Sequence, residues 1–415
     1  MSRENPLPFA RPDITDDEKQ AVLRVLDSGW LTQGPETDQF EIEFSNYTGA
    51  SHSIAVNSAT AALHLGLVGM GLQTGDAVIV PALTFTATAE VIHRCGAMPL
   101  LVGIDQDSYL ITAPIIEQFI SEYCFRNADG QLIHTATQTR IRGVICVHYG
   151  GRSCDLLSLR ELCQRENWFL GEDAAHAFGT LYRGTPIGQD SDFCAFSFYA
   201  TKNMTTGEGG MLTTRHETVA HRLRRLRLHG IETPAHRRKS NYYDVVDEGF
   251  KYNLSDIAAA IGRVQLKRHD SMLVRRRRIH ETYQAHFQDL QSVKPCPESA
   301  GSSHHLYTIE IDPKLCSRDE FASRIESKNV RTSLHFIPLY RMTHYRLRYG
   351  RSEMGNDDEA AYWNLRYPNC ERMFQRILSL PIYSSMTDDD ILDVVNAVKE
   401  AHSMSLAASQ QKSPG

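Results

Sequence analysis

Phe196-Ser-Phe-Tyr-Ala-Thr-Lys202-Asn-Met-Thr-Thr-Gly-Glu-Gly-Gly210 holds one lysine among aromatic, hydroxyl and glycine residues, with a single acid for company. The segment 193–198 that leads into it has the aromatic, apolar character of a β-strand, and the glycines that follow permit close backbone approach or positive φ. Lys202 therefore stands on a turn at a strand end. A lysine withdrawn from water loses support for its charged form, which leaves an amine able to attack a carbonyl and form a Schiff base. An ordinary surface lysine in a glycine-rich loop is spelled the same way, so the rest of the chain has to decide.

Outward from this turn, apolar runs alternate with helical patterns. Strands are expected over 53–56, 77–80, 98–102, 141–147 and 168–172, with helices over 60–68, 86–94 and 156–166. That alternation predicts βαβ units in an α/β fold whose ligands sit at the carboxyl ends of strands. After Leu212 the pattern becomes mainly helical: 217–228, 255–266 and a basic helix over 267–290. Strand-like runs at 306–311 and 330–336, with helices opening at Arg318 and Asp388, predict a smaller α+β domain. The expected division is an extended arm over 1–14, a large domain over 15–250, a small domain over 251–403 and a disordered tail over 404–415. Thr15-Asp-Asp-Glu18 spells a capping box for the first helix, and 126–140 reads as an inserted loop or small hairpin.

A chain of 415 residues with 41% hydrophobic and 23% charged residues has the makings of a globular protein with a large core. A net charge of -6 argues against nucleic acid or an anionic membrane as partner. The early sequence lacks the order of a signal peptide and no apolar run spans a bilayer, so the cytoplasm is the expected location. Nine cysteines without a C-x-x-C pair indicate neither a disulfide framework nor a metal site. Gly69 to Gly75 mimics a dinucleotide loop but follows a helix and leads into a strand, the wrong context. His216 to His221 is one residue too long for a zinc-protease motif.

Three further stretches sit where ligands bind. Asn57-Ser-Ala-Thr-Ala-Ala62 opens a helix after a strand, so Thr60 and Ala61 would offer N–H groups to a phosphate, and a plain N-cap is the alternative reading. Glu172-Asp-Ala-Ala-His-Ala177 ends a core strand and puts Asp173, with His176 beside it, at the carboxyl edge. Aimed at a pyridine nitrogen, Asp173 would keep that ring protonated as an electron sink. Phe85 begins a helix after a strand, where a core position and a stacking position are both open. Trp30, in the loop Ser28-Gly-Trp-Leu-Thr-Gln-Gly-Pro35, reads as a buried anchor or a substrate contact.

Taken together with the order in which they occur, these residues make the chain resemble the DegT/DnrJ/EryC1/StrS sugar aminotransferases. The resemblance runs from Pro8-Phe-Ala-Arg-Pro-Asp13 to Leu378-Ser-Leu-Pro-Ile-Tyr383 and Met386-Thr-Asp388. It implies the aspartate-aminotransferase fold, with a mixed, mostly parallel seven-stranded sheet in the large domain. It also implies pyridoxal 5'-phosphate, passing through pyridoxamine phosphate. By the resemblance Lys202 carries the cofactor, and Thr60, Ala61 and Ser197 hold its phosphate. Asp173 pairs with the ring nitrogen, His176 lies near the 3-hydroxyl and Phe85 stacks on the ring.

Gly249-Phe-Lys-Tyr-Asn-Leu-Ser-Asp256 resembles the stretch that reaches the phosphate of the neighbouring subunit in a homodimer, through Lys251 or Asn253. Trp30, Thr32, His148 and His335 would face the substrate. That substrate is expected to be a nucleotide-linked ketosugar, aminated by an amino acid such as glutamate. Val147-His-Tyr-Gly-Gly151 and His176 are closer to members that aminate C4 of a 4-keto-6-deoxyhexose than to those that aminate C3. The related dehydratases carry histidine at the Lys202 position, and no helix-turn-helix supports a cofactor-binding regulator.

Overall fold

Near-continuous runs of Val, Ile, Leu and Ala pair into one sheet buried on both faces. In the computed structural model, which describes residues 3–349 and 356–412, its strands begin with β1 (His52–Val56), β2 (Asp76–Pro81) and β3 (Met98–Val102). A hairpin of β4 (Cys124–Arg126) and β5 (Leu132–His134) leads into β6 (Thr139–Val147) and then β7 (Phe169–Asp173). After the two-residue strands β8 (Leu181–Tyr182) and β9 (Thr185–Pro186) come β10 (Phe193–Ser197) and β11 (Gly210–Thr214). The order is β1-β11-β10-β7-β6-β2-β3, and along it only β11 runs against the rest. This is the expected mixed, mostly parallel sheet. The 126–140 insertion is largely the β4–β5 hairpin, which hangs on β6.

The helices are α1 (Asp16–Ser28), α2 (Pro35–Thr48), α3 (Ala59–Gly69), α4 (Thr86–Arg94), α5 (Ala113–Tyr123), α6 (Leu156–Glu166) and α7 (Glu217–Leu226). Thr15 and Glu18 form the predicted capping box at α1. α3 lies across β10 and β11. A Cβ on Gly210 would stand 2.5 Å from the Ser58 carbonyl carbon, so glycine is what lets β11 touch the start of α3. Gly171 makes room for the Phe193 ring, whose tip would be 2.3 Å from a Cβ there.

Several expectations need correction. The helices expected over 255–266 and 267–290 are one, the 32-residue α8 (Asp256–Phe287), capped by Ser255 and free of proline. It serves two cores: Ala259 and Leu266 pack with the large sheet, Ile279, Tyr283 and Phe287 with the smaller domain. No boundary near residue 250 therefore separates the two. Its basic residues pair within the chain: Arg263 with Glu36 and Glu43, Arg268 with Asp13 and Glu18, and Arg275 with Asp388.

The second core is built on β12 (Val293–Pro295), β13 (Tyr307–Ile311) and β14 (Ile377–Leu380), with α9 (Arg318–Glu326) and the last helix. Between them α10 (Thr343–Tyr349), α11 (Asn356–Arg366) and α12 (Pro368–Arg376) return to the large core through Tyr345, Trp363, Tyr367 and Cys370. The run 330–336 is not a strand. It makes single bridges, Val330 to Leu7 and Ser333 to Ser379, and then turns toward the cleft. The tail is not disordered over 404–412, because α13 (Asp388–Lys412) continues through it with Ser405 buried and accepting a hydrogen bond from Arg324. Residues 413–415, like Met1 and Ser2 of the arm, lie outside the described residues. The arm itself straps the small domain: Leu7 is buried there and Arg3 pairs with Asp390 and Asp393.

Candidate active site

The carboxyl ends of β1, β2, β6, β7 and β10 open on a cavity of about 380 Å³. Lys202, Asp173, His176, Ser197, Phe85, His335 and Thr60 all line it. Lys202 stands on the turn after β10, closed by its own N–H to the Tyr199 carbonyl at 2.9 Å. Thr205 ties the same turn back to the Phe198 carbonyl at 3.0 Å, and Asn203 donates to the Ser303 carbonyl at 2.8 Å. Among the described residues no acceptor or carboxylate is bonded to the Lys202 amine. Desolvation lowers its pKa to about 8, against the opposing pull of Asp173.

Asp173, the last residue of β7, is buried and held by neutral donors only. Thr88 Oγ1 donates to it at 2.8 Å and the Ala175 N–H at 3.1 Å. Burial pushes its pKa up despite those bonds. A carboxylate in that state lacks a cation in contact, and a protonated ring nitrogen would supply one.

Two imidazoles, His176 and His335, form the opposite wall, and a third, His305, backs His176. His176 accepts from the Gly150 N–H at 3.4 Å through Nδ1, which leaves its proton on Nε2. The His305 ring lies 4.3 Å from it, with Nδ1 bonded to Asn203 Oδ1 at 3.0 Å. His335 Nδ1 meets Ser379 Oγ at 2.9 Å. Desolvation lowers all three pKa values, that of His335 to about 4, so the wall is uncharged at neutral pH.

At the start of α3, Ser58 Oγ accepts the Ala61 N–H at 3.1 Å. The cap thus engages Ala61, and the predicted anion cradle falls instead to the N–H groups of Ala59 and Thr60, which have no carbonyl within the helix. Phe85, 58% exposed at the N-cap position of α4, projects its ring over the cavity lip. The donors, the carboxylate, the free amine and the exposed ring fit pyridoxal phosphate.

Other expected residues lie elsewhere. His148 is fully buried: its Nδ1 accepts the Cys154 N–H at 3.1 Å and its Nε2–H donates to Glu172 at 3.1 Å. Side chains alternate at a strand end, and since Val147 faces the cleft, His148 faces away. With Cys146 and Cys154 it places three potential ligand atoms within 4.8 Å of one another, but both ring nitrogens already have protein partners. Trp30 is partly exposed outside the cleft, donating to the Gln33 carbonyl at 3.0 Å, and Thr32 accepts the Asp256 N–H through its carbonyl. Lys251 donates to Asn253 at 2.6 Å on the surface, also outside this cavity. Thr88 and His305 were not among the expected residues.

Comparison with known proteins agrees with this geometry. The profile of the DegT/DnrJ/EryC1/StrS aminotransferase family matches residues 12–399. The spore coat polysaccharide biosynthesis protein SpsC of Bacillus subtilis is 40% identical over 409 residues, 96% of this chain and 98% of that protein. A putative sugar aminotransferase of Streptococcus pneumoniae, solved with pyridoxamine phosphate, superposes with TM-score 0.84 at 30% identity, covering 98% of this chain and all of that one. DesV of S. venezuelae superposes with TM-score 0.81 at 30% identity, over 96% of this chain and 99% of its own.

Proposed function

Because this chain belongs to the DegT/DnrJ/EryC1/StrS family of pyridoxal-phosphate-dependent aminotransferases, we propose that it moves an amino group from glutamate to C4 of a nucleotide-linked 4-keto-6-deoxyhexose. The observation that carries amino transfer is the unpartnered Lys202 amine and the cation-lacking Asp173 carboxylate in one cavity. Pyridoxal phosphate bound there supplies an aldehyde for the donor amine and a ring that accepts the electron pair released at the donor Cα.

The chain's own residues do the rest. Lys202, with a pKa brought down to about 8, would take the Cα proton and return it two atoms away, on the far side of the donor nitrogen, and would run the same transfer in reverse for the second half of the cycle. Asp173 holds the ring-nitrogen proton through both halves, kept in place by Thr88. Phe85 covers one ring face, and Ala59, Thr60 and Ser197 meet the phosphate. The neutral imidazole wall lets His176 donate a hydrogen bond to an oxyanion without placing a second positive charge beside Lys202.

The relatives' names support a sugar substrate and a role in surface polysaccharide. The C4 assignment rests on the Val147 to Gly151 loop and His176. Because His148 points away, that loop acts through the shape it gives the wall. The exposed Lys251–Asn253 pair, outside its own cleft, supports a homodimer in which each chain completes the other's phosphate site. No helix among the described residues is long and apolar enough to cross a membrane, and the cytoplasm is the proposed location. Incubation with glutamate and a panel of nucleotide-linked ketosugars, followed by mass spectrometry and NMR, tests this: nitrogen at C3 would defeat the C4 assignment, and no transfer to any ketosugar would defeat the sugar reading.

A further inference from the structure

Arg152 follows the turn after β6 and is only 6% exposed. Its guanidinium lies 5.0 and 5.5 Å from the ring centroids of Tyr109 and Tyr149. Among the described residues it makes no ion pair, and its Nη1 is fully buried without a hydrogen-bond partner. Aromatic faces ease a buried cation, but a guanidinium away from water ordinarily has an anion in contact.

This side chain borders a small void of about 10 Å³, roughly the room one water-sized particle needs. His280, Ser299, Ser302 and His304 wall it, and none of its lining residues is acidic. Arg276, fully buried nearby, answers only to carbonyls, those of His304, His305 and Ile382. Burial keeps His280 and His304 neutral, with pKa values down to about 4 and about 3, so they offer N–H donors without adding charge. His304 is also held at φ 48, a left-handed conformation that a non-glycine residue adopts at some cost.

We propose that this void is a binding site for a small monovalent anion, chloride in the cell, held by Arg152 Nη1 and the hydroxyls of Ser299 and Ser302. A water molecule would fill the space but leave the Arg152 guanidinium without an anion in contact, with Arg276 answered electrostatically only by Asp13. The site lies behind the cleft, and its occupant would brace the 302–306 segment that presses Ser303 and His305 against Asn203 and His176.

The test is crystallographic: crystals of the full chain grown with bromide in place of chloride should show an anomalous peak about 3.3 Å from Arg152 Nη1. In solution, about 100 mM chloride against gluconate at equal ionic strength should raise Tm by about 2 °C, and Arg152→Gln should lose that rise. No bromide peak, or an inward-turned Glu298 carboxylate filling the void, overturns the proposal, as does an equal Tm rise in the variant. If Arg152→Gln does not fold, the wild-type bromide peak still decides, and Glu298→Gln should retain it.

Discussion

The floor of the cleft and the stretch from 229 to 253, whose Lys251 and Asn253 are proposed to reach the neighbouring subunit's cofactor, are held in different ways. On the floor, Asp173 is buried under Thr88 and Ala175, and the Lys202 turn is fixed by backbone bonds. Along the other stretch Tyr242 is 78% exposed and Tyr243 and Val245 stand in solvent, while the side chains of Lys251 and Asn253 bond to each other although their backbone bridges to Leu228 and Val56. A group whose partners all lie in its own chain is positioned before any ligand arrives. An exposed one takes its working position from something outside the chain.

Substitutions on the floor should therefore stop the chemistry without loosening the protein. Lys202→Ala is expected to lower kcat by on the order of 10⁴-fold or more, with borohydride labelling of the wild type falling on this lysine alone. The same residue gives a pH test. Its folded pKa, about 8, lies below the ordinary 10.5, so burying the charged amine costs stability below pH 8, and that cost fades as pH rises to 10.5. Lys202→Ala apoprotein should then melt above wild type at pH 7, with the gap closing between pH 8 and 10.5. In parallel, amine-selective acylation of Lys202 should reach half its maximal rate near pH 8.

Asp173→Asn should retain cofactor while kcat falls by on the order of 10²–10³-fold, because an amide cannot hold the ring proton. Normal turnover by that variant would erase the contrast between floor and rim. Rim substitutions should act on retention: Asn253→Ala is expected to weaken cofactor binding by about tenfold, a little over one hydrogen bond's worth, with kcat at saturating cofactor little changed. Mixing Lys202→Ala with an Asn253→Ala, Lys251→Ala chain should restore part of the activity through hybrid dimers, and an active monomer in sedimentation would break that expectation. Trp30→Ala, outside the cleft, should change KM for the sugar by less than about threefold.

Much of the floor was legible because its chemistry is local. Lys202 and Asp173 each follow an apolar strand within a few residues, and strand ends are where α/β sheets keep their ligands. Thr88 and His305 were not legible, since Thr88 reaches Asp173 across 85 positions and His305 reaches Asn203 across 102. His148 faces away from the cleft because side chains alternate at the end of β6 and Val147 takes the cleft-facing place. The Ala61 N–H is taken by the Ser58 side chain, which shifts the free N–H pair by one position, to Ala59 and Thr60. The sheet itself was readable from its apolar runs, but α8 was split because its composition changes from alanine-rich to basic while its helical path does not.

That unbroken helix has a thermal consequence. A rod of 32 residues that contributes Leu266 to one core and Tyr283 to the other cannot fray at its middle without exposing apolar surface in both. Loss of either core withdraws support from the helix and, through it, from its neighbour. The chain should accordingly lose its structure in a single cooperative transition, with calorimetric and van't Hoff enthalpies in agreement, where two cores joined by a loose linker would give two.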